Sequence, residues 1–302
     1  MTGATALGQA AVQAEARIPD TWVRGESLRV EVSYTAGPEG GTLEAWQLSA
    51  AAFELSGKPL AERTNTASLA LGPGDRLELD LDLSRALQAQ RFGFELSLHA
   101  ARGSAQRVHL LEPLTTELDF MAAPVEELGQ YLVLMRTTHG EMLFELWPEV
   151  APLHVRNWLD LASSGFYDGV QFHRVSPSFM IQGGCPNTRS DRRDRWGLGV
   201  GPRTLPLELS DRLHEQGVLS MARGPEPDSG SCQFFVITRT SPQLDGGYST
   251  FGKLISGIDV LLKIGNAQGR LKNGTITPDQ PQRILQAIVV REPAPQGQVS
   301  ER

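Results

Sequence analysis

The chain has 302 residues, long enough for two domains of about 100–200 residues each. Its 40% hydrophobic and 21% charged residues are globular usage and exclude wholesale disorder. A formal net charge of −7 argues against a nucleic-acid binder that relies on a global basic field, and no apolar run approaches the ~18 residues of a membrane span.

The segment Met1–Ala11 has neither a basic n-region nor a continuous apolar h-region. No secretory signal is expected, which favours a cytoplasmic location; a periplasmic or secreted one would require that a signal had been removed. Residues 1–16 lack a firm period and read as a loose tail. From Arg17 to about Phe120 the period is two. Leu28, Val30, Val32 and Tyr34 alternate with polar residues, as do Leu77, Leu79, Leu81 and Leu83, and then Phe92, Phe94, Leu96 and Leu98. Gly37-Pro38-Glu39-Gly40-Gly41 and Gly72-Pro73-Gly74-Asp75 mark turns between them. Residues 17–122 are therefore expected to form a small antiparallel, Ig-like β-sandwich, with a helical turn only at Ser84–Gln88. Trp22 and Trp46 read as core plugs, and His99 and His109 as ordinary surface or boundary positions. Leu111–Gln130, with Pro113 and Pro124, reads as a final strand plus a linker.

The second half opens at Tyr131 with a strand through Leu132, Leu134 and Arg136. A turn at Thr138–Glu141 leads to a return strand over Met142–Leu146. A helix enters at Pro152, where a missing N–H costs nothing, and Val155, Trp158, Leu159 and Ala162 form one apolar stripe that ends at Gly165. A second helix is predicted over Ile258–Ile264, bracketed by Gly257 and Gly265, with Val260, Leu261 and Ile264 on one face.

Between the helices lie the residues with chemical content. Val170, Phe172 and Arg174 alternate, which places a guanidinium on an apolar face, where a charge is costly unless paired or used. Phe179 and Met180 are apolar, Gln182 is an amide, and Gly183-Gly184 permits a close backbone turn. Gly217–Arg223, Gly230–Thr238 and Gln243–Lys253 supply further pieces.

These stretches resemble the cyclophilin family of peptidyl-prolyl cis-trans isomerases. The family's Phe-His-Arg-Val stands at Phe172–Val175, and its Phe-Met-Ile-Gln-Gly-Gly at Phe179–Gly184. Leu-Ser-Met-Ala is Leu219–Ala222 and Gln-Phe-Phe is Gln233–Phe235. Leu-Asp-Gly and Phe-Gly-Lys are Leu244–Gly246 and Phe251–Lys253. The resemblance implies that residues 129–291 form an eight-stranded antiparallel β-barrel capped by two helices. It implies an enzyme that isomerises Xaa-Pro bonds and assists folding, with proline-containing polypeptides as partners and neither cofactor nor metal.

By the same resemblance Arg174 faces the prolyl nitrogen, and Phe179, Met180, Phe235 and Leu244 hold the ring. Tyr248 stands at the pocket wall where many relatives have histidine. Gln182, with Ala222 and the backbone around Arg223, holds the substrate carbonyl, and Gln233 supports Arg174 and Gln182. Gln243 replaces a tryptophan common in the family, which implies weak sensitivity to cyclosporin-type drugs. Leu198 and Val200 stand where relatives carry smaller loop residues, and bear on the residue preferred before proline.

Other readings stand beside this one. A proline-binding chaperone or interaction module needs the pocket but little turnover, and a passive adhesin needs only the sandwich, whose contacts with clients or partners are open. Gly197-x-Gly-x-Gly lacks the spacing of a nucleotide loop. His173 is expected to have a structural role, and His154 to be exposed on the first helix. Arg189, Arg192, Arg193 and Arg195, interleaved with Asp191 and Asp194, read as a locally paired solvated loop, with partner docking as the alternative. Cys185 and Cys232 are either two buried thiols or a bridge clamping the loops that frame the site.

Overall fold

The computed structural model describes residues 118–272 and 275–291 continuously; before residue 118 it describes the strands named below and a few residues beside them. The chain divides into two compact units, Met1–Glu112 with Glu292–Arg302, and Pro113–Arg291.

In the first unit, Arg29–Ala36 pairs antiparallel with Val12–Arg17 and with Arg76–Asp82. Trp46–Ala52 lies between Ala61–Asn65 and Phe94–Leu98, and Phe94–Leu98 in turn pairs with Gln106–Pro113. Thr21–Val23 adds a short parallel pairing to His109–Leu111. The described parts of the three alternating runs thus fall on strands, while Leu28, Leu83 and Phe92 lie outside the described residues. The tail expectation needs correction, because Val12–Arg17 is a strand. There Val12, Ala14 and Ala16 alternate with Gln13, Glu15 and Arg17, a pattern that weak β-formers such as Ala disguise. Trp22 is buried, and its indole N–H donates to the Glu26 carbonyl at 3.0 Å. The helical turn expected at Ser84–Gln88 and the side chains of Trp46, His99 and His109 lie outside the described residues.

The second unit is mainly β, with few helices. Its strands are β1 (Tyr131–Thr137), β2 (Gly140–Leu146), β3 (Arg174–Ser176), β4 (Met180–Gly183), β5 (Val218–Met221), β6 (Phe234–Ile237), β7 (Thr250–Ser256), β8 (Gly269–Lys272), β9 (Thr275–Pro278) and β10 (Ile284–Arg291). Its helices are α1 (Val125–Leu128), α2 (Pro152–Ser163) and α3 (Ile258–Gly265). Within the unit the strand order is β8-β9-β3-β4-β6-β5-β7-β2-β1-β10, all antiparallel. The ladder is an open path rather than the closed eight-stranded ring expected. An isolated bridge, Gln171↔Arg283, joins the segments leading into β3 and β10.

Both predicted helices form. In α2, Val155, Trp158, Leu159 and Ala162 are all buried, and Gly165 follows with φ 69°. In α3, Val260, Leu261 and Ile264 are buried, and Gly257 precedes them with φ 93°. Trp158 centres the core, packing edge-on against Phe144, Phe234 and Phe251 with ring centroids 5.6 Å away in each case. Phe120 and Leu128 belong to this core, and the Phe120 ring stands edge-on to Tyr131 at 5.3 Å.

His154 corrects an expectation, since only 1% of it is exposed. Glu208 reaches over the start of α2, accepting the backbone N–H groups of Leu153 and His154 at 3.1 Å, while the His154 ring approaches it at 2.6 Å. Burial pushes the Glu208 carboxyl up, but these bonds outweigh it and hold the group below its ordinary value. A capping acid from a distant loop turns a helix-surface position into a covered one.

Candidate functional site

Strand register builds the site. Arg174 in β3 lies opposite Gln182 in β4, Gln182 lies opposite Phe235 in β6, and Phe235 lies opposite Ser220 in β5. Directly opposed residues share a face, so these four side chains form one row across four strands. The adjacent row, Val175, Ile181, Val236 and Leu219, points the other way and is buried in the main core. The sheet therefore carries the site on the face opposite that core. Met180, two residues from Gln182, joins the site face and packs with Phe179, Ala222, Phe235, Leu244 and Tyr248 in a satellite apolar cluster.

A cavity of about 500 Å³ opens on this face, lined by Arg174, Phe179, Met180, Gln182, Ala222, Arg223, Phe235, Leu244 and Tyr248. The structure thus brings together every residue that the resemblance assigned to the site except Gln233, which lies behind Gln182; Leu198 lines the same cavity and Val200 does not. Arg174 donates to Gln182 Oε1 at 2.9 Å, Gln182 Nε2 donates to Gln233 Oε1 at 3.0 Å, and Gln233 Nε2 donates to the carbonyls of Gly197 and Gly199, each at 2.8 Å. Guanidinium can only donate and carbonyl oxygen can only accept, so the two ends of this relay fix both amide orientations. Gln233 therefore supports Arg174 through Gln182 and also anchors the glycine-rich loop.

Strand alternation does not place Arg174. Residues 166–173 are not a strand, and Gln171 and His173 are buried as well as Val170 and Phe172. Arg174 itself is exposed at the cavity, and it makes no ion pair with a carboxylate among the described residues. His173 lines the cavity with its ring nearly covered. Burial lowers its pKa to about 4, helped by the Arg174 charge and opposed by hydrogen bonds to Gln171 and Gln233, so the ring is neutral at pH 7.

Sequence reasoning missed Trp196 and Thr277, which also line the cavity, and Arg193, which it read as part of a solvated loop. The pairing expected there does occur: Arg192 donates to Asp194 at 2.9 Å with both side chains exposed. It missed His214 too, which is 1% exposed and stacks behind Phe235 with an interplanar angle of 9°. The His214 ring contacts Asp245 Oδ1 at 2.9 Å and Ser220 Oγ at 3.1 Å. This is the hydrogen-bonded order of a nucleophilic triad. Ser220, however, is fully buried and donates to the Ser249 carbonyl at 3.0 Å, so the trio braces the apolar slot from behind. The backbone N–H of His214, then its ring, hold the Asp245 carboxyl below its ordinary value. No local sequence signal marks this trio, because its members meet only through tertiary structure.

Cys185 and Cys232 are free buried thiols. Cys185 Sγ accepts the N–H groups of Gly197 and Gly199 at 3.2 and 3.3 Å, and burial pushes the Cys232 thiol up to about 12. Leu198 and Val200 project from the same loop, 67% and 72% exposed.

An arginine held by a neutral amide beside an apolar slot is a site that grips and polarises without a nucleophile. Residues 132–289 match the model of the cyclophilin type peptidyl-prolyl cis-trans isomerase family. The chain is 36% identical over 160 residues to the peptidyl-prolyl cis-trans isomerase ppi1 of Schizosaccharomyces pombe, covering 52% of this chain and 98% of that protein. It is 42% identical over 125 residues to peptidyl-prolyl cis-trans isomerase B of Bacillus subtilis, covering 41% of this chain and 82% of that protein. A crystal structure of a Cryptosporidium parvum cyclophilin type peptidyl-prolyl cis-trans isomerase, in the presence of the dipeptide Ala-Pro, is 30% identical with a TM-score of 0.47, covering 52% of this chain and 98% of that one. The chain belongs to the cyclophilin family, and its second half is a peptidyl-prolyl cis-trans isomerase. No helix among the described residues is long and apolar enough to cross a membrane.

Proposed function

We propose that Arg174 and Gln182 catalyse the isomerisation and that Phe179, Met180, Phe235, Leu244 and Tyr248 hold the prolyl ring of an extended polypeptide segment. Planar Xaa-Pro amides interconvert over a resonance barrier of about 18–20 kcal/mol. At the barrier the amide is twisted and the prolyl nitrogen regains a lone pair. A guanidinium aimed at that nitrogen is worth more there than in either planar form, which is the condition for catalysis. Gln182, with the backbone at Ala222 and Arg223, holds the preceding carbonyl while the amide turns, and Gln233 keeps Gln182 and the glycine-rich loop in place.

The observation that carries this reading is the charge state of Arg174. Its partner is an amide rather than a carboxylate, so its full positive charge faces the slot. The family match and the apolar cluster around Phe235 support a proline-containing substrate. Isomerisation of a proline tetrapeptide, followed by NMR exchange in wild type and in Arg174→Ala, tests it. Catalysis must fall while peptide binding persists. A module that only grips proline segments would show unchanged, near-zero turnover in both proteins.

Residues 17–122 serve, in this reading, as a separate β-sandwich that recruits clients to an isomerase domain at 129–291. The two-sided strand pairing around Arg29–Ala36 and Trp46–Ala52 supports a sandwich.

A further inference from the structure

The cavity is cationic in a chain whose net charge is −7. Arg174, Arg193 and Arg223 line it, and among the described residues no carboxylate does. His173 adds no charge at pH 7, since its pKa lies at about 4. Three nearby acids are engaged elsewhere. Asp194 is held by Arg192 at 2.9 Å and approached by Arg195 at 3.8 Å. Asp245 is held by His214, and Asp228 accepts the Leu207 N–H at 2.8 Å.

The three guanidiniums differ in what they have left to give. Arg174 belongs to the amide relay. Arg223 donates to the carbonyls of Gly224, Pro225 and Gly247 and lies 4.8 Å from the centroid of the Tyr248 ring, so it contributes charge but few free donors. Arg193 lies 5.2 Å from the centroid of the Trp196 ring and makes one side-chain hydrogen bond, to the Asp279 carbonyl at 3.1 Å. It forms no ion pair with the carboxylates of its neighbours Asp191 and Asp279. Its remaining donors are uncommitted, and its ring platform restricts where they point. A planar fork of this kind suits a carboxylate or a phosphate.

We propose that this isomerase selects Xaa-Pro segments carrying an anionic side chain next to the proline, and that Arg193 receives that anion. The inference deepens the reading of the same cavity as the proline site and rests on it. Opposite charges at a half-open mouth, with a charge-assisted hydrogen bond, give an advantage of about fivefold, which salt screens.

The test is binding by NMR titration of the full chain with acetylated, amidated peptides, so that the readout does not depend on turnover. Ala-Glu-Pro-Phe is compared with Ala-Gln-Pro-Phe and Ala-Lys-Pro-Phe, and Ala-Gln-Pro-Glu places the acid after proline. A phosphoserine-proline peptide against its serine counterpart separates phosphate from carboxylate recognition. The expected result is tighter binding of the Glu or phosphoserine peptide by about fivefold over its neutral partner, falling below about twofold in 0.5 M NaCl. Arg193→Gln is expected to collapse that ratio, and Arg193→Lys to retain most of it. Equal affinities for acidic and neutral peptides overturn the proposal. So does a preference that survives either Arg193→Gln or high salt. If no proline peptide shifts the resonances of the cavity residues, both this proposal and the proline-site reading fall; if all bind equally, only this one does.

Discussion

Replacing Arg174 by alanine removes the positive charge from the slot while leaving the fold almost untouched. The side chain is exposed and its one side-chain hydrogen bond goes to a neutral amide, Gln182 Oε1, at 2.9 Å. Losing a bond of that kind at a wet site costs about 1 kcal/mol of stability or less. On the proposed role the catalytic loss is larger, because the guanidinium would act on charge that develops only in the twisted amide. Removing one preorganised donor of this type costs about 2.7–4 kcal/mol, or about 10²–10³ in rate. The open mouth admits water and places this chain toward the lower end, so kcat/KM is expected to fall about 100-fold. Arg174→Lys keeps the charge but loses the fork, and should recover only part of the rate. The assay is NMR exchange on a proline tetrapeptide, with thermal melting as the control. A rate within threefold of wild type, with the melting temperature unchanged, would refute the assigned role.

Three further outcomes follow from the geometry. His173 has an ordinary pKa of about 6.5 in the unfolded chain and about 4 when folded, so the unfolded state takes up its proton first as pH falls. Its contribution is complete above pH 6.5 and lost progressively down to pH 4, a fall of about 3 kcal/mol in unfolding free energy by denaturant titration; flat stability over that window contradicts a buried neutral ring. Deleting residues 1–112 should leave isomerisation by the second unit intact, whereas deleting 1–125 also strips the buried Phe120 from Tyr131 and should cost about 3–5 kcal/mol more. Identical melting of the two truncations would show that Phe120 is not part of that core. Gly184→Ala puts a Cβ against the Cys232 carbonyl at φ 85° and next to Gln233, so it should lose about 2–3 kcal/mol and most activity; a near-wild-type melt would mean the backbone there relaxes freely.

Periodicity made part of this protein legible. The stripes in α2 and α3 and the bracketing glycines needed only neighbours three and four residues apart, and both helices form where that spacing puts them. Three ordered motifs carried the family and named the cavity residues. Other features escaped because nothing local encodes them. His154 has the position of a surface residue until Glu208 arrives from another loop. Arg174 was placed by an alternation that the irregular chain before β3 does not follow. The 189–201 loop has no period at all, so the path that brings Arg193 and Trp196 to the cavity had no signal, and Leu198 was placed there only by the resemblance.

Residue order alone determined the helices, the family and the inventory of groups: two arginines, two glutamines and a set of apolar side chains. Tertiary pairing decided that Arg174, Gln182, Phe235 and Ser220 stand in one row, backed by Asp245 and His214. It also decided that the guanidinium meets an amide and leaves its charge for the slot. The reason is physical. A helix stripe is set by contacts within one turn, whereas the strength of a charge depends on which groups distant strands bring within hydrogen-bonding reach.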